Sequence, residues 1–258
     1  MHVFLPDGQR LELSVGATAA DAAAAIGAGL ARAARGAQVD GVLTDLMTPL
    51  PEGAQLAVVT TRDREPLLAL QRHTLAHVMA QAVAGLMAAE GHPSSSVKMG
   101  IGPVIEHGFY YDFDLPRSLT PEDLEAIDAR MRDLMAAKLT LSRTEVSRAD
   151  ALAHWRRLGD PYKVELIEDL PEDVAITFYN QGGEEGFTDL CRGPHVPNTG
   201  DVTPHFRLMS VAGAYWRGDE SRSMMQRIYA VAFDTAEALE HHLWQLEEGR
   251  RRDHRKIG

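Results

Sequence analysis

The side chains best suited to chemistry stand in two short stretches far apart in the chain. One is Arg72-His73-Thr74-Leu75-Ala76-His77-Val78-Met79, and the other is Asp189-Leu190-Cys191-Arg192-Gly193-Pro194-His195. A spacing of four on a helix sets His73 and His77 on one face, one turn apart. Cys191 and His195 repeat that spacing in a Gly-Pro turn, where no helix is expected. Alone, such a histidine pair is more often polar helix surface than a ligand set, and a lone cysteine is more often packing. Taken together, with Asp189 two residues before the only cysteine, they point to a shaped site. Two chemistries fit. His-His-Cys-His is a permissible tetrahedral zinc set, with His73, His77, Cys191 and His195 as the candidate ligands. Without a metal, the imidazoles would handle protons near neutral pH around an organic substrate, activating water or protonating a leaving oxygen. Cys191 would then be a polar contact or a nucleophile. Lys163 and the Tyr110-Tyr111 pair are further candidates, with a surface lysine and an ordinary half-buried strand as their plain structural alternatives.

The elements that must position these residues are legible as patterns. Leu67, Leu68, Leu75, Val78, Met79, Ala82, Val83 and Leu86 recur with helical period, predicting a helix from Leu67 to about Ala89 that carries the histidine pair. Pro66 suits its first turn, and Gly91 and Pro93 mark its end. Upstream, residues 2–5 and 9–15 read as strands around Pro6-Asp7-Gly8. Residues 18–34 read as helix, with Thr18 and Asp21 at capping-box spacing and a break near Gly27 and Gly29. Residues 37–40, 42–44 and 55–60 read as strands. That order suits a small β-grasp, ubiquitin-like unit whose usual use is contact. Downstream, a strand is expected at 108–113, a helix from the Thr120-Pro121-Glu122-Asp123 capping box to about Lys138, and a strand at 139–146. Helices follow from Ser147 to Leu158 and at 161–167. Strands are expected at 175–180, then, after the cysteine loop, at 206–211, 214–216 and 226–233, before a terminal helix capped by Asp234. The expected fold class is α+β. A β-grasp domain, 1–61, precedes a larger α+β domain, 66–233, with helices on an antiparallel sheet, and a C-terminal helix and basic linker, 234–258.

The 45% apolar and 24% charged composition of the 258 residues is that of a soluble globular protein with a sizeable core. No apolar run approaches the roughly 18 residues a membrane helix needs, and no signal peptide is seen. One cysteine excludes an internal disulfide and fits a reducing cytoplasm. The net charge of −11 speaks against indiscriminate coating of nucleic acid, though not against local contact with RNA. Arg250, Arg251, Arg252, Arg255 and Lys256, against Asp253 alone, form a basic end suited either to phosphate or to a solvated helix terminus.

The two site stretches occur together with Gly108-Phe109-Tyr110-Tyr111-Asp112, Tyr162-Lys163-Val164-Glu165-Leu166-Ile167, Ala214-Tyr215-Trp216-Arg217-Gly218-Asp219 and Gln226-Arg227-Ile228-Tyr229. The chain closes on Arg252-Asp253-His254-Arg255-Lys256-Ile257-Gly258. This ordered set closely resembles the N-terminal half of bacterial threonyl-tRNA synthetases, over essentially the whole chain. The histidine pair with Cys-x-x-x-His is also shared with the alanyl-tRNA editing family, whose members generally hold zinc there. The resemblance implies a TGS (β-grasp) domain followed by a tRNA editing domain. That domain would hydrolyse serine from mischarged threonine tRNA, as part of a threonine--tRNA ligase or as a freestanding trans-editing protein. It implies a site of His73, His77, Lys163, Asp189, Cys191 and His195, lined by Tyr110 or Tyr111, with no cofactor required. The aminoacylation core of the family would follow Gly258, so this chain alone is not expected to make aminoacyl-tRNA. His107 departs from the asparagine often found before Gly-Phe-Tyr-Tyr. The readings from other classes are a zinc-dependent alanyl-tRNA-type deacylase and a non-catalytic tRNA-binding module. Threonine tRNA is the expected partner, and no membrane is.

Overall fold

The computed structural model describes residues 1–256 apart from Glu185, with the backbone alone for residues 253–256. The chain opens with an antiparallel hairpin, His2–Phe4 against Arg10–Glu12, turned through Gly8 at φ +83°. The Thr18 hydroxyl accepts from the Asp21 amide while the Asp21 carboxylate accepts from the Thr18 amide at 2.8 Å. This capping box starts the helix Ala19–Ile26. Gly27 then breaks the helical path, and a second helix, Ala28–Ala33, follows. Strand Ala34–Val39 lies between Val42–Thr44 and Leu56–Thr60 in an antiparallel sheet. Val3, Ala19, Ala22, Ala37, Leu50 and Leu56 fill the small core beneath it.

The helix carrying the histidines spans Arg64–Ala89 and buries Leu70, Leu75, Val78, Met79, Ala82 and Val83. It packs on an antiparallel sheet ordered Phe206–Tyr215, Met224–Ala232, Gly108–Asp114, Lys98–Met99. Strand alternation in Gly108–Asp114 sends Phe109, Tyr111 and Phe113 into the core with Ile228 and Ala230. Gly108 is required by close approach: a Cβ there would sit 1.9 Å from the Ala230 carbonyl oxygen. Helix Pro121–Ala136, opened by the Thr120–Asp123 capping box, adds Ile127 and Met131 to the same core. A second antiparallel sheet pairs Ile176–Gln181 with Leu141–Val146 on one side and Phe187–Leu190 on the other. Helices Arg148–Leu158 and Pro161–Glu168 cover it through Ala151, Trp155 and Ile167. The architecture is therefore α+β: a β-grasp-like unit, then helices on antiparallel sheets.

Three local expectations are corrected. Residues 206–211 and 214–215 lie in one strand, Phe206–Tyr215, because Gly213 stays paired to Gln226 and is covered by the Met224 side chain, while Trp216 opens a short 3-10 turn; the irregularity lies instead between Leu208 and Ser210. Phe187–Leu190, expected as part of the cysteine loop, is an edge strand after the Gly182-Gly183 turn. Four residues are too few for a periodic signal. The terminal helix, Ala236–Lys256, is capped by Thr235, whose hydroxyl accepts from the Ala238 amide at 3.2 Å, while Asp234 pairs with Arg64. The basic run lies at its end; Ile257 and Gly258, and the side chains of Arg255 and Lys256, lie outside the described residues. Among the described residues, no helix is long and apolar enough to cross a membrane.

The two units touch. Arg35 pairs with Asp201 at 2.8 Å, the Tyr179 hydroxyl donates to Asp45, and Val59 joins the core around Leu70.

Candidate active site

His73 and His77 face away from the helix axis toward the loop that follows strand Phe187–Leu190. Cys191 Sγ lies 3.3 Å from His73 Nε2 and 3.3 Å from His195 Nε2. The one ligand atom offered by each of His73, His77, Cys191 and His195 lies within 4.8 Å of the others. The rings of His73 and His195 stack at 4.1 Å, and those of His77 and His195 lie 4.3 Å apart.

Hydrogen-bond partners fix the tautomers. His73 Nδ1 lies 3.1 Å from the Pro194 carbonyl oxygen, which can only accept, so Nδ1 carries the proton. The Thr74 hydroxyl gives its proton to the Leu70 carbonyl at 3.0 Å, so His195 Nδ1, 3.1 Å away, must donate to it. Thr74 also accepts from the Val196 amide at 3.1 Å, tying the loop to the helix. Both Nε2 lone pairs therefore face Cys191, whose single thiol proton can satisfy one of them.

A charged wall lies beside this neutral cluster. Asp160 caps helix Pro161–Glu168 by accepting from the Tyr162 and Lys163 amides at 3.0 and 3.2 Å, and it also accepts from the Met99 amide at 3.0 Å. That cap aims Lys163 inward. Lys163 Nζ donates to the Gly100 carbonyl at 2.9 Å and to the Tyr111 oxygen at 3.2 Å, and makes a close ionic contact with Asp189 Oδ1 at 2.5 Å. The Tyr111 hydroxyl donates to Asp189 Oδ2, which lies 3.6 Å from His77 Nε2. Lys163 and Asp189 are each only 2% exposed.

Burial governs the protonation states. It pushes His77 down to about 3, only partly countered by Asp189. It drives His195 well below the ordinary value, helped by the neighbouring histidines, and lowers His73 against the pull of the Pro194 carbonyl and Asp189. All three imidazoles are neutral at pH 7. Burial, reinforced by Asp189, pushes the Cys191 thiol up to about 12, so it is not a thiolate. Burial opposes ionisation of Asp189, yet Lys163 and His77, with Tyr111, hold it below the usual carboxylate range.

The structure thus brings His73, His77, Lys163, Asp189, Cys191, His195 and Tyr111 together. Tyr110 is not with them: strand alternation turns it to the opposite face of the sheet, where Arg227 lies 3.9 Å above its ring. Thr74, Asp160 and the Tyr179–Asp45 pair support the site without having been singled out as candidates. Thr74 sits inside the histidine motif, where its spacing from Leu70 was a usable signal; the partners of the others are too distant in sequence. A cavity of about 500 Å³ adjoins the charged wall through Met99, Asp160 and Phe187, and Phe187 lies edge-on to His77 at 6.1 Å.

Residues 1–60 match the TGS domain family, and residues 176–229 match the Threonyl and Alanyl tRNA synthetase second additional domain. The whole chain aligns with threonine--tRNA ligases, at 57% identity to that of Thermus thermophilus and 53% to that of Deinococcus radiodurans. It spans 39% of the length of each of these two relatives. At greater distance, the ligase of a Geobacter species is 49% identical over the full chain, which covers 38% of it. The chain carries a TGS domain and a threonyl and alanyl tRNA synthetase second additional domain, and corresponds along its whole length to the N-terminal region of threonine--tRNA ligases.

Proposed function

We propose that this chain hydrolyses the ester joining serine to the 3′-terminal ribose of threonine tRNA, in the cytoplasm and without a cofactor. In this reading residues 1–61 are the TGS domain, 66–233 the editing domain and 234–258 a C-terminal helix and basic linker. The observation that carries it is the meeting of two unlike walls, neutral imidazoles and a thiol on one side and the Lys163–Asp189–Tyr111 network on the other, 3.6 Å apart at His77 and Asp189. One wall suits a water molecule and its proton. The other suits the ammonium and hydroxyl of a seryl group.

An aminoacyl ester is already reactive, so placing water, taking its proton and stabilising the oxyanion are enough. The water oxygen bonds to the ester carbonyl carbon, and its proton passes to the Nε2 of His73 or His195 left without the thiol proton. The carbonyl electron pair moves onto oxygen. Its return breaks the bond to the ribose oxygen, which takes the proton from the imidazolium as serine leaves. Cys191, held as a thiol, shapes the pocket rather than attacking. Such a pocket would spare threonine by its extra methyl, a difference worth about 1–3 kcal/mol.

A second reading rests on the convergence of the four donor atoms within 4.8 Å. His73, His77, Cys191 and His195 would hold a zinc ion, which when bound supplies Lewis-acid polarisation of the ester carbonyl. One experiment separates the readings: deacylation of seryl-, threonyl- and alanyl-tRNA, each with and without chelator. Hydrolysis of the seryl ester alone, unchanged by chelator and lost in His73→Ala/His77→Ala, is expected. A double variant as fast as the parent, or equal hydrolysis of seryl and threonyl esters, overturns the proposal. Loss with chelator and return with zinc selects the second reading, and tRNA binding without turnover selects a binding module.

A further inference from the structure

We propose that Asp45, contributed by the β-grasp unit, is a positioning residue for the hydrolytic site, acting through Tyr179 on the loop Cys191–His195. The inference rests on the hydrolytic reading above. Asp45 is 1% exposed. Its Oδ1 accepts from the Met47 amide, the Thr48 amide and the Thr48 hydroxyl, each at 2.9 Å. Its own turn therefore fixes the carboxylate and leaves Oδ2 for the other unit. Oδ2 accepts from the Tyr179 hydroxyl at 2.5 Å. Tyr179 is fully buried, and its ring centre lies 4.6 Å from that of His195.

The loop rests directly on this pair. Gly193 takes φ +74°, and a Cβ there would come within 2.3 Å of the Tyr179 oxygen and 2.9 Å of Asp45 Oδ2. The Gly193 amide donates to Cys191 Sγ at 3.2 Å. A displaced Tyr179 hydroxyl thus frees the ring behind His195 and removes the wall under Gly193, on which the Cys191 orientation depends. Asp45 makes no hydrogen bond to the four converging side chains, so its action is indirect. A purely adhesive contact between units needs only burial and charge at this position. A positioning contact needs the hydrogen bond to Tyr179.

The test compares Asp45→Ala, Asp45→Asn, Tyr179→Phe and the Asp45→Ala/Tyr179→Phe double variant. It reads kcat and KM for seryl-tRNA deacylation and the rate at which iodoacetamide alkylates Cys191, the only thiol. Misplacement on this scale is expected to lower kcat about tenfold or more in Asp45→Ala, with KM within about twofold. Asn can still serve Tyr179 and the turn, so Asp45→Asn recovers most of the rate. Tyr179→Phe matches Asp45→Ala, and the double variant is no worse than either, as for two residues in one chain of contact. Alkylation speeds up in Asp45→Ala and Tyr179→Phe but not in Asp45→Asn. Parental kcat in Asp45→Ala, equal losses in the Ala and Asn variants, or multiplying losses in the double variant overturn the proposal. If Asp45→Ala does not fold, Tyr179→Phe with parental kcat and parental alkylation overturns it instead. A parent chain that fails to deacylate sinks the hydrolytic reading, while the thiol readout still tests the positioning.

Discussion

The β-grasp unit and the unit that follows it bury different things. Among the described side chains of residues 1–60, Asp45 is the one polar group that is buried; the rest of that core is small and apolar. The second unit buries Thr74, His77, Asp160, Lys163, Gln181, Asp189 and His195. Taking such groups out of water is costly unless each is paired, and even a well-paired buried ion pair adds little net stability. A core built only for shape would resemble the first unit. The second is built around a buried polar cluster, and the single polar group buried in the first is aimed at it.

The largest expected effect tests that contrast. Lys163→Met leaves the Asp189 carboxylate buried without its cation, which by analogy with other broken buried pairs costs about 3–5 kcal/mol. Urea denaturation measures it. A Lys163→Met/Asp189→Leu chain recovers most of that stability, because apolar replacement of both partners removes the stranded charge, yet it does not deacylate. A Lys163→Met chain as stable as the parent would place Lys163 with ordinary exposed lysines and erase the difference between the units.

A smaller effect sets in with acid. Burial holds His77 near 3, and it lowers His73 and His195 too. Below the ordinary histidine value of 6.5 the unfolded chain takes up protons that the folded chain refuses. Stability is therefore full above that value and falls as the pH drops toward 3, with His77 contributing about 1.4 kcal/mol per pH unit, or about 2 kcal/mol by pH 5. Cys191 gives the mirror image: its thiol is pushed from 9.0 to about 12, so stability is lost as the pH climbs across that range. Residues 1–60 contain one histidine, His2, at the surface. Trp155, Trp216 and Trp244 all lie in the second half of the chain, so their fluorescence reports its unfolding. Their urea midpoint should fall between pH 7 and pH 5. A flat midpoint would mean that the imidazoles are not buried neutral.

The two units also differed in how far the sequence alone could be read. Gly8, the Thr18–Asp21 box and Gly27 act within a few residues, and each appeared where its spacing predicts. The long helix and the four His/Cys side chains were likewise legible, since periodicity and residue type carry them. What was not legible depends on distance in sequence. Lys163 on a short helix reads as surface until Asp160, held by the Met99 amide, turns it inward. Tyr110 and Tyr111 are equivalent as letters, and only the pleat and the neighbouring strands decide which ring is buried. Tyr179 and Asp45 are 134 residues apart, and neither stands in a motif.

The smallest expected effect separates the site from the junction that carries Asp45. Arg35 and Asp201 form a second tie between the units at 2.8 Å, with both side chains partly exposed. Burial raises the Asp201 carboxyl even against the pull of Arg35, so this position suits a charge poorly. Both side chains keep some contact with solvent, so Arg35→Ala should cost less than breaking the fully buried Lys163–Asp189 pair, about 1 kcal/mol. It should leave seryl-tRNA deacylation unchanged, because Arg35 touches neither Tyr179 nor the cysteine loop. If docking of the units as a whole held the site together, loosening either tie would lower kcat alike. Equal losses in Arg35→Ala and Asp45→Ala would therefore make Asp45 one strut of a general interface. A loss confined to Asp45→Ala traces the effect to the Tyr179 hydroxyl and the glycine packed against it.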